Sequence, residues 1–539
     1  MKKRIVSALL VTVMALSMLT GCGSSETTEE TTEATEETTE ASGGTFVVPI
    51  NATSFSSLTP YSIFGSDDGQ MQAAPCWDSL YIVSSSGTRW YLAESLEATA
   101  DDGCHYELKL REGMKWHDGE DITADDVVFT TNVMLDPGNT GSPNQCVTYD
   151  GKHPVVEKID DYTVSITLEE PYSGFECEYG KMKILPEHVF GGNTCIKDMT
   201  EELNMCVGSG PYKLKEYNEG DSIVYERFDD YYREPGKLDQ VIIKLMPDMN
   251  AQEAAFQNGE ISMMRITSQT KLDKYKADDN YSVYTIPEAR LNYLAINYQC
   301  DIWKNEDARK AICLALNVDE IIVGAYGSEE LAKPAKNFCS PENLYYNDEM
   351  EGYKQDLEEA KRLAEKSGLT EKTLKYIYFT QRPNMKETAQ IVQQQLKAIG
   401  VEVEIEGFDT GEFFAHLFAA WMGGETTVDT SWDLASNGMD SLNADPSTKM
   451  GDYKGELVQN GFYASEKTLE LWDKATTAVS VEEREQYFKE LQQSMSDDYT
   501  MYPMANTNYV MVTQKAFKGL DEVERYPVFE DYTKIYMEQ

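Results

Sequence analysis

The sequence predicts an α/β protein, and three stretches carry that prediction. In residues 356–403, Leu357, Ala360, Leu363 and Ala364 fall at helical spacing, with Gly368 placed as a stop. Ala389, Val392, Leu396 and Ile399 repeat the spacing up to Gly400. Val401, Val403 and Ile405 then alternate with glutamates as a half-buried strand. In residues 106–130, Tyr106, Leu108 and Leu110 alternate with Glu107, Lys109 and Arg111, so a strand is expected there. Gly113 and Asp118-Gly119 reverse the chain, and Thr123 with Asp126 forms a capping box for the next helix. Ser480 with Glu483 forms another capping box, leading a helix that carries Tyr487, Phe488 and Leu491.

Composition bounds the function. A chain of 539 residues, 41% hydrophobic, builds ample core; the length suits three to four units or two large lobes. A formal charge of −46 argues strongly against a nucleic-acid partner, because phosphate binding needs clustered Lys and Arg. The same charge favours cationic ligands or simply a soluble, self-repelling surface.

From the start, Lys2, Lys3 and Arg4 precede an apolar run over residues 5–19, the layout of a secretory signal too short to span a bilayer. The run closes on Leu19-Thr20-Gly21-Cys22, which resembles the bacterial lipobox. Residues 1–21 are therefore expected to be removed and Cys22 to be lipidated. Residues 23–44 hold seven glutamates and no basic residue. Such a tract cannot bury enough apolar surface to fold, and 22–44 is expected to be an extended, disordered tether. Phe46-Val47-Val48-Pro49-Ile50 opens the folded part as a strand, and residues 136–153 read as a loop. Asn250 with Glu253 is expected to cap a helix through Ala254, Ala255 and Phe256, stopped at Gly259. Residues 291–298 read as a strand, and Asn305 caps a helix with Ala308, Ile312, Ala315 and Leu316.

Leu110, Arg111, Gly113, Lys115, Trp116, His117, Asp118, Gly119, Thr123, Ala124, Asp126, Val127 and Phe129 stand at the spacing of a long signature. The stretch resembles the family-5 extracellular solute-binding proteins, the oligopeptide and dipeptide receptors of ABC importers. Further motifs follow in family order: Leu58-Thr59-Pro60, Cys76 to Tyr81, Val207-Gly208-Ser209-Gly210-Pro211-Tyr212, Arg227-Phe228-Asp229-Asp230-Tyr231-Tyr232, Arg309 with Ala311, and Phe517-Lys518-Gly519-Leu520. The resemblance runs from about residue 45 to the C-terminus. It implies a two-lobed periplasmic-binding-protein fold of the large peptide-binding type (type II), with a hinge and a central ligand cleft. Residues 45–288 with 505–539 would form the larger lobe and 289–504 the smaller. The 106–130 motif would build the larger lobe rather than a catalytic site, with His117 packed or capped.

The resemblance also implies where a ligand sits. Trp432-Asp433-Leu434, Gly438-Met439 and Asp445-Pro446 take the places of family elements that flank the ligand. Peptide-binding members hold the peptide's ammonium with an aspartate three residues after a Trp. Here that Trp is Met439 and the aspartate is Leu442, with Asp440 and Asn443 nearby. Amine recognition is therefore absent or passes to Asp440 in a shifted loop. Trp77, Trp421 and Trp432 are candidate cleft walls or ordinary core; Asn297, Tyr298, Asp433 and Asp445 complete the candidate set. Arg290 and Arg382 carry the planar fork that meets a carboxylate through two hydrogen bonds, or else form surface ion pairs.

There is no G-x-S-x-G, no G-x-x-x-x-G-K-[ST] and no H-E-x-x-H, and the five histidines show no i, i+4 pair. Ten cysteines include no C-x-x-C, so neither metal nor cofactor is expected; outside Cys22 nine remain, an odd number that cannot all pair. The expected function is a monomeric, lipid-anchored receptor on the outer face of the cell membrane, capturing peptides by hinge closure for an ABC permease. Rivals are a receptor for a sugar, an opine or a metal chelate, a peptide-pheromone receptor, and a secreted hydrolase. Replacing Cys22 by Ala should release the protein from membranes into the soluble fraction, read by immunoblot after fractionation; retention of the variant would remove the lipid anchor.

Overall fold

The computed structural model describes residues 43–55, 57–60, 67–139, 146–149, 151–419, 429–440, 445–447, 463–523 and 531–538. In chain order the first strands are β1 (Thr45–Ile50), β2 (Tyr81–Ser84), β3 (Gly87–Trp90), β4 (Ala93–Ala98), β5 (His105–Leu110), β6 (Val155–Asp160), β7 (Thr163–Thr167), β8 (Tyr212–Asn218), β9 (Ser222–Arg227) and β10 (Gln240–Leu245). They form one sheet in the order β1-β10-β9-β8, a second in the order β4-β5-β7-β6, and the β2-β3 hairpin. Tyr106, Leu108 and Leu110 of β5 point inward and their charged neighbours outward, the pattern the alternation predicts. Both sheets close on one core that includes Val48, Trp77, Trp116, Phe175 and Tyr225.

The remaining strands are β11 (Met263–Ile266), β12 (Tyr281–Ile296), β13 (Ala332–Pro334), β14 (Thr373–Phe379), β15 (Glu402–Phe408), β16 (Leu434–Asp440) and β17 (Met501–Gln514). They build a seven-stranded sheet in the order β11-β17-β12-β16-β14-β15, with β13 paired to β17. Leu294 and Ile296 face one core, whereas Leu291, Tyr293 and Ala295 face another, so the sheet is buried on both sides. The helices Leu357–Ser367 and Met385–Ala398 cover the first of those faces with the predicted Ala360, Leu363, Ala389, Val392 and Leu396.

The 106–130 motif is a joint. Thr123 and Asp126 cap the helix Ala124–Leu135 reciprocally, the Asp126 carboxylate accepting the Thr123 N–H at 2.9 Å. The same carboxylate accepts the Trp116 indole N–H (3.3 Å) and the Glu187 N–H (2.9 Å). Burial pushes the Asp126 carboxyl up to about 6. His117 donates from Nε2 to the Gly210 carbonyl (2.9 Å), and its Nδ1 accepts the Gly208 N–H (3.3 Å). Burial lowers His117 to about 4, so it is a neutral packing residue tying the turn at 207–212 to this motif.

Two expectations change. The helix read from Asn250 begins two residues earlier, over Met249–Gln257, because Asp248 accepts the N–H groups of Asn250 and Ala251 at 2.8 Å each. Glu253, freed from capping, pairs instead with Lys271 (2.8 Å) and Lys274 (2.9 Å). The expected lobe limits at 288/289 and 504/505 fall inside β12 and β17, which pair antiparallel from Tyr281↔Gln514 to Ala295↔Met501. Phe256, Ile261, Met264, Ile266, Leu272 and Tyr275, read with the larger lobe, pack in the core of the seven-stranded sheet, because β11 is an edge strand of that sheet. Among the described residues no helix is long and apolar enough to cross a membrane; the leader, Cys22 and the tether lie outside them.

A buried cluster makes the first core pH-sensitive. Asp78 accepts the hydroxyls of Tyr231 and Tyr232, each at 2.7 Å on Oδ2, and burial pushes its carboxyl from 3.8 to about 6. A carboxyl raised on folding adds stability that is fully present below its unfolded value and is lost as pH rises through about 6. Between about pH 4 and pH 7 the wild type should therefore lose about 2 kcal/mol of unfolding free energy relative to Asp78→Asn. Urea unfolding of both proteins across that range checks this; parallel pH profiles would contradict it.

Candidate functional site

β12 carries the sequence Ile286-Pro287-Glu288-Ala289-Arg290 at the point where it changes neighbours. Pro287 has no N–H to give, Ala289 takes a left-handed φ of +46°, and the register with β17 shifts between Pro287 and Arg290. This bulge puts both Glu288 and Arg290 on the wall of a small cleft. The end of β11 adds Arg265, β17 adds Thr507, and the loop after β14 adds Arg382 and Asn384.

Arg265 donates from Nη2 to both Glu288 oxygens (2.8 and 3.0 Å) and lies 4.8 Å from the centroid of the Tyr509 ring. Arg290 is only 2% exposed. Its guanidinium donates to the Asn292 side-chain oxygen (3.4 Å) and the Gly438 carbonyl (3.3 Å). A Cβ at Gly438 would stand 2.5 Å from that Asn292 oxygen and 2.7 Å from Arg290 Nη2, so only glycine leaves the arginine its place. Asn292 in turn donates to the Tyr326 hydroxyl (3.2 Å), and burial pushes that phenol up to about 12, keeping it neutral. Arg382 sits with its guanidinium 5.7 Å from the Phe379 ring centroid. Asn384 begins the helix Met385–Ala398 with φ +69° and caps it with no side chain, so the positive end of that helix opens on the cleft. The Thr507 hydroxyl is buried with no partner among the described residues.

Arg265, Arg290, Arg382 and Glu288 therefore line one small space, beside a helix N-terminus and the buried Thr507 hydroxyl. This arrangement attracts and orients an acidic group. Among its described residues the cleft wall holds no serine, cysteine or histidine. A larger cavity lies near Asn317, Lys336, Glu351 and Tyr353. Its charges are of both signs, and it lacks any such convergence.

The candidates read from sequence scatter. Trp77 lies in the first core, edge-on to Trp116 at 6.3 Å, its indole N–H on the Leu58 carbonyl (3.2 Å). Trp432 lies in the core on the far face of the large sheet and donates to the His416 carbonyl (3.2 Å). Asn297 is spent on structure, donating to the carbonyls of Asp429 and Trp432 at 2.9 Å each. Asp433 accepts Lys372 and the Lys375 N–H, pinning β16 to β14. Tyr298 packs on Tyr463, with ring centroids 4.9 Å apart. Asp445 is buried, accepts the Ser447 N–H (2.8 Å), and has its carboxyl raised by desolvation. The backbone of Asp440 pairs with Arg290 at the cleft edge. Trp421, Leu442 and Asn443 lie outside the described residues. Arg290 and Arg382 do line the cleft; Arg265, Glu288, Asn384 and Thr507 were not read from sequence. Their signal was available in part, since Arg265, Glu288 and Arg290 are charges inside otherwise apolar strands.

The profile of the bacterial extracellular solute-binding proteins, family 5, matches residues 90–459. The chain is 28% identical to the oligopeptide-binding protein AppA of Bacillus subtilis, over 92% of this chain and 91% of that one. It is 26% identical to the dipeptide-binding protein of Escherichia coli, over 79% and 82%. The ABC transporter substrate-binding protein CtaP of Listeria monocytogenes superposes with a TM-score of 0.84 at 30% identity, covering 92% of this chain and all of that one.

Because Trp432 is packed on all sides, Trp432→Ala should cost about 3–5 kcal/mol of unfolding free energy, read by urea denaturation. A loss below about 1 kcal/mol would return Trp432 to the cleft wall.

Proposed function

The chain belongs to the bacterial extracellular solute-binding proteins of family 5, and from that premise we propose that it captures peptides by an acidic end and delivers them to an ABC permease. The fold is the two-lobed α/β binding-protein fold of that family. The observation that carries the ligand reading is the convergence of Arg265, Arg290 and Arg382 on one cleft in a chain of formal charge −46. Relatives named for oligopeptide and dipeptide binding support the peptide class.

A free peptide C-terminus offers two oxygens to guanidinium forks, the strongest hydrogen-bonding geometry available to a carboxylate in a partly dry space. The Thr507 hydroxyl and the N–H groups at the start of helix Met385–Ala398 offer further donors. Because the cleft lies where β12 and β17 carry the chain from the first core to the large sheet, a ligand there touches the segment that must flex on closure. Closure follows if the closed state binds the ligand better than the open one. With Leu442 in the place of the amine-binding aspartate, recognition rests on the acidic end and on backbone and water contacts along the peptide. An acidic opine or metal chelate fits the same arginines and is the second reading.

The family consists of substrate-binding proteins, and this chain is read as one with no catalytic role. Cys22 would hold it to the outer face of the membrane, with residues 22–44 as the tether. Calorimetric titration with a peptide and its C-terminal amide tests the reading. The free acid should bind at least about tenfold tighter, and Arg382→Gln should erase that preference by weakening the acid form about 10–100-fold. Equal affinities for acid and amide would overturn it.

A further inference from the structure

Cys76 and Cys206 place their sulfurs 3.5 Å apart in the first core, although they are 130 residues apart in sequence. Their backbones are held in register by neighbours that cannot drift. Gly210 donates to the Cys76 carbonyl (2.8 Å) and Tyr212 to the Pro75 carbonyl (3.0 Å). A Cβ at Gly208 would stand 2.1 Å from the Cys76 carbonyl oxygen, and one at Gly210 would stand 2.7 Å from its carbonyl carbon, so the two segments touch backbone to backbone. Cys206 takes a left-handed φ of +52°, rare for a residue with a Cβ, and this turns its side chain toward Cys76. His117 closes the third side, with Nδ1 3.8 Å from the Cys76 sulfur.

We propose that Cys76 and Cys206 are joined as a disulfide in the exported protein. This inference rests on the chain being exported and not on what fills its cleft. A bond would draw the sulfurs in from 3.5 Å to about 2.05 Å. The oxidant is a second disulfide from the surroundings. One cysteine thiolate attacks a sulfur of that disulfide, forming a mixed disulfide and expelling one thiolate. The other cysteine then attacks the protein sulfur and expels the second. Two electrons pass from the cysteines to the external disulfide, and their two protons end on the released thiols. Since both sulfurs are buried in the folded chain, exchange takes place while the chain folds outside the cytoplasm. The bond would close a loop containing β2 to β7 and the whole 106–130 motif, limiting the freedom of the unfolded chain.

The test is to unfold and refold the protein with a mixture of reduced and oxidised glutathione, then alkylate and map peptides without reduction. A peptide pair joined through Cys76 and Cys206, two fewer alkylated thiols than after dithiothreitol, and a higher urea midpoint that dithiothreitol abolishes are expected. Cys76→Ser and Cys206→Ser should each abolish both the joined pair and the midpoint difference. Mapping of the wild type decides the question even where a serine variant fails to fold. Full alkylation of Cys76 and Cys206 after refolding, or linkage of either to a different cysteine, would overturn the proposal.

Discussion

The pairing of β12 with β17 is the constraint on which the rest depends. These long antiparallel strands run together from Tyr281↔Gln514 to Ala295↔Met501. Each carries side chains for more than one core: Met511 and Tyr509 pack with the first, Val510 and Val512 with the second, and Met501 with the third. A one-residue slip would exchange those faces and place core residues against the wrong partners. The bulge at Pro287 and Ala289 relieves the ribbon where it passes from one environment to the other, and the cleft opens at that point.

Charge inside this ribbon carries the functional signal. Burying an arginine or glutamate among apolar strands costs free energy unless hydrogen bonds replace the lost water, and well-packed apolar residues would often be no worse for stability. Arg265 with Glu288, and Arg290 with Asn292 and the Gly438 carbonyl, meet that demand in detail. Such groups, kept beside an open space, are what the proposal of ligand recognition rests on. Elsewhere buried acids serve the fold: Asp126 caps and braces, and Asp78 gathers two tyrosines.

Much of the fold was legible from local pattern. Alternation at Tyr106, Leu108 and Leu110, the Thr123–Asp126 box and the helical spacings near Ala360 and Ala389 all describe contacts made within a few residues or with one face. The cap at Asp248 was missed because Asn250 and Glu253 carry the same local signature, and only the backbone geometry chose between them. The site was less legible. Trp77 and Trp432 have the chemistry of a cleft wall, yet aromatic rings serve a core equally well, and sequence cannot say which side of a sheet faces a partner.

By itself the sequence determined the α/β class, the family signature over residues 106–130, the leader pattern and the strongly acidic charge. Each depends on spacing or composition along one stretch of chain. Only the tertiary structure decided that Arg265, Arg290 and Arg382 share a cleft, that Asn297 and Asp433 are spent on structure, and that Cys76 meets Cys206. These are encounters between residues up to about 130 positions apart. They are set by strand register and by the bulge in β12, which no local periodicity records.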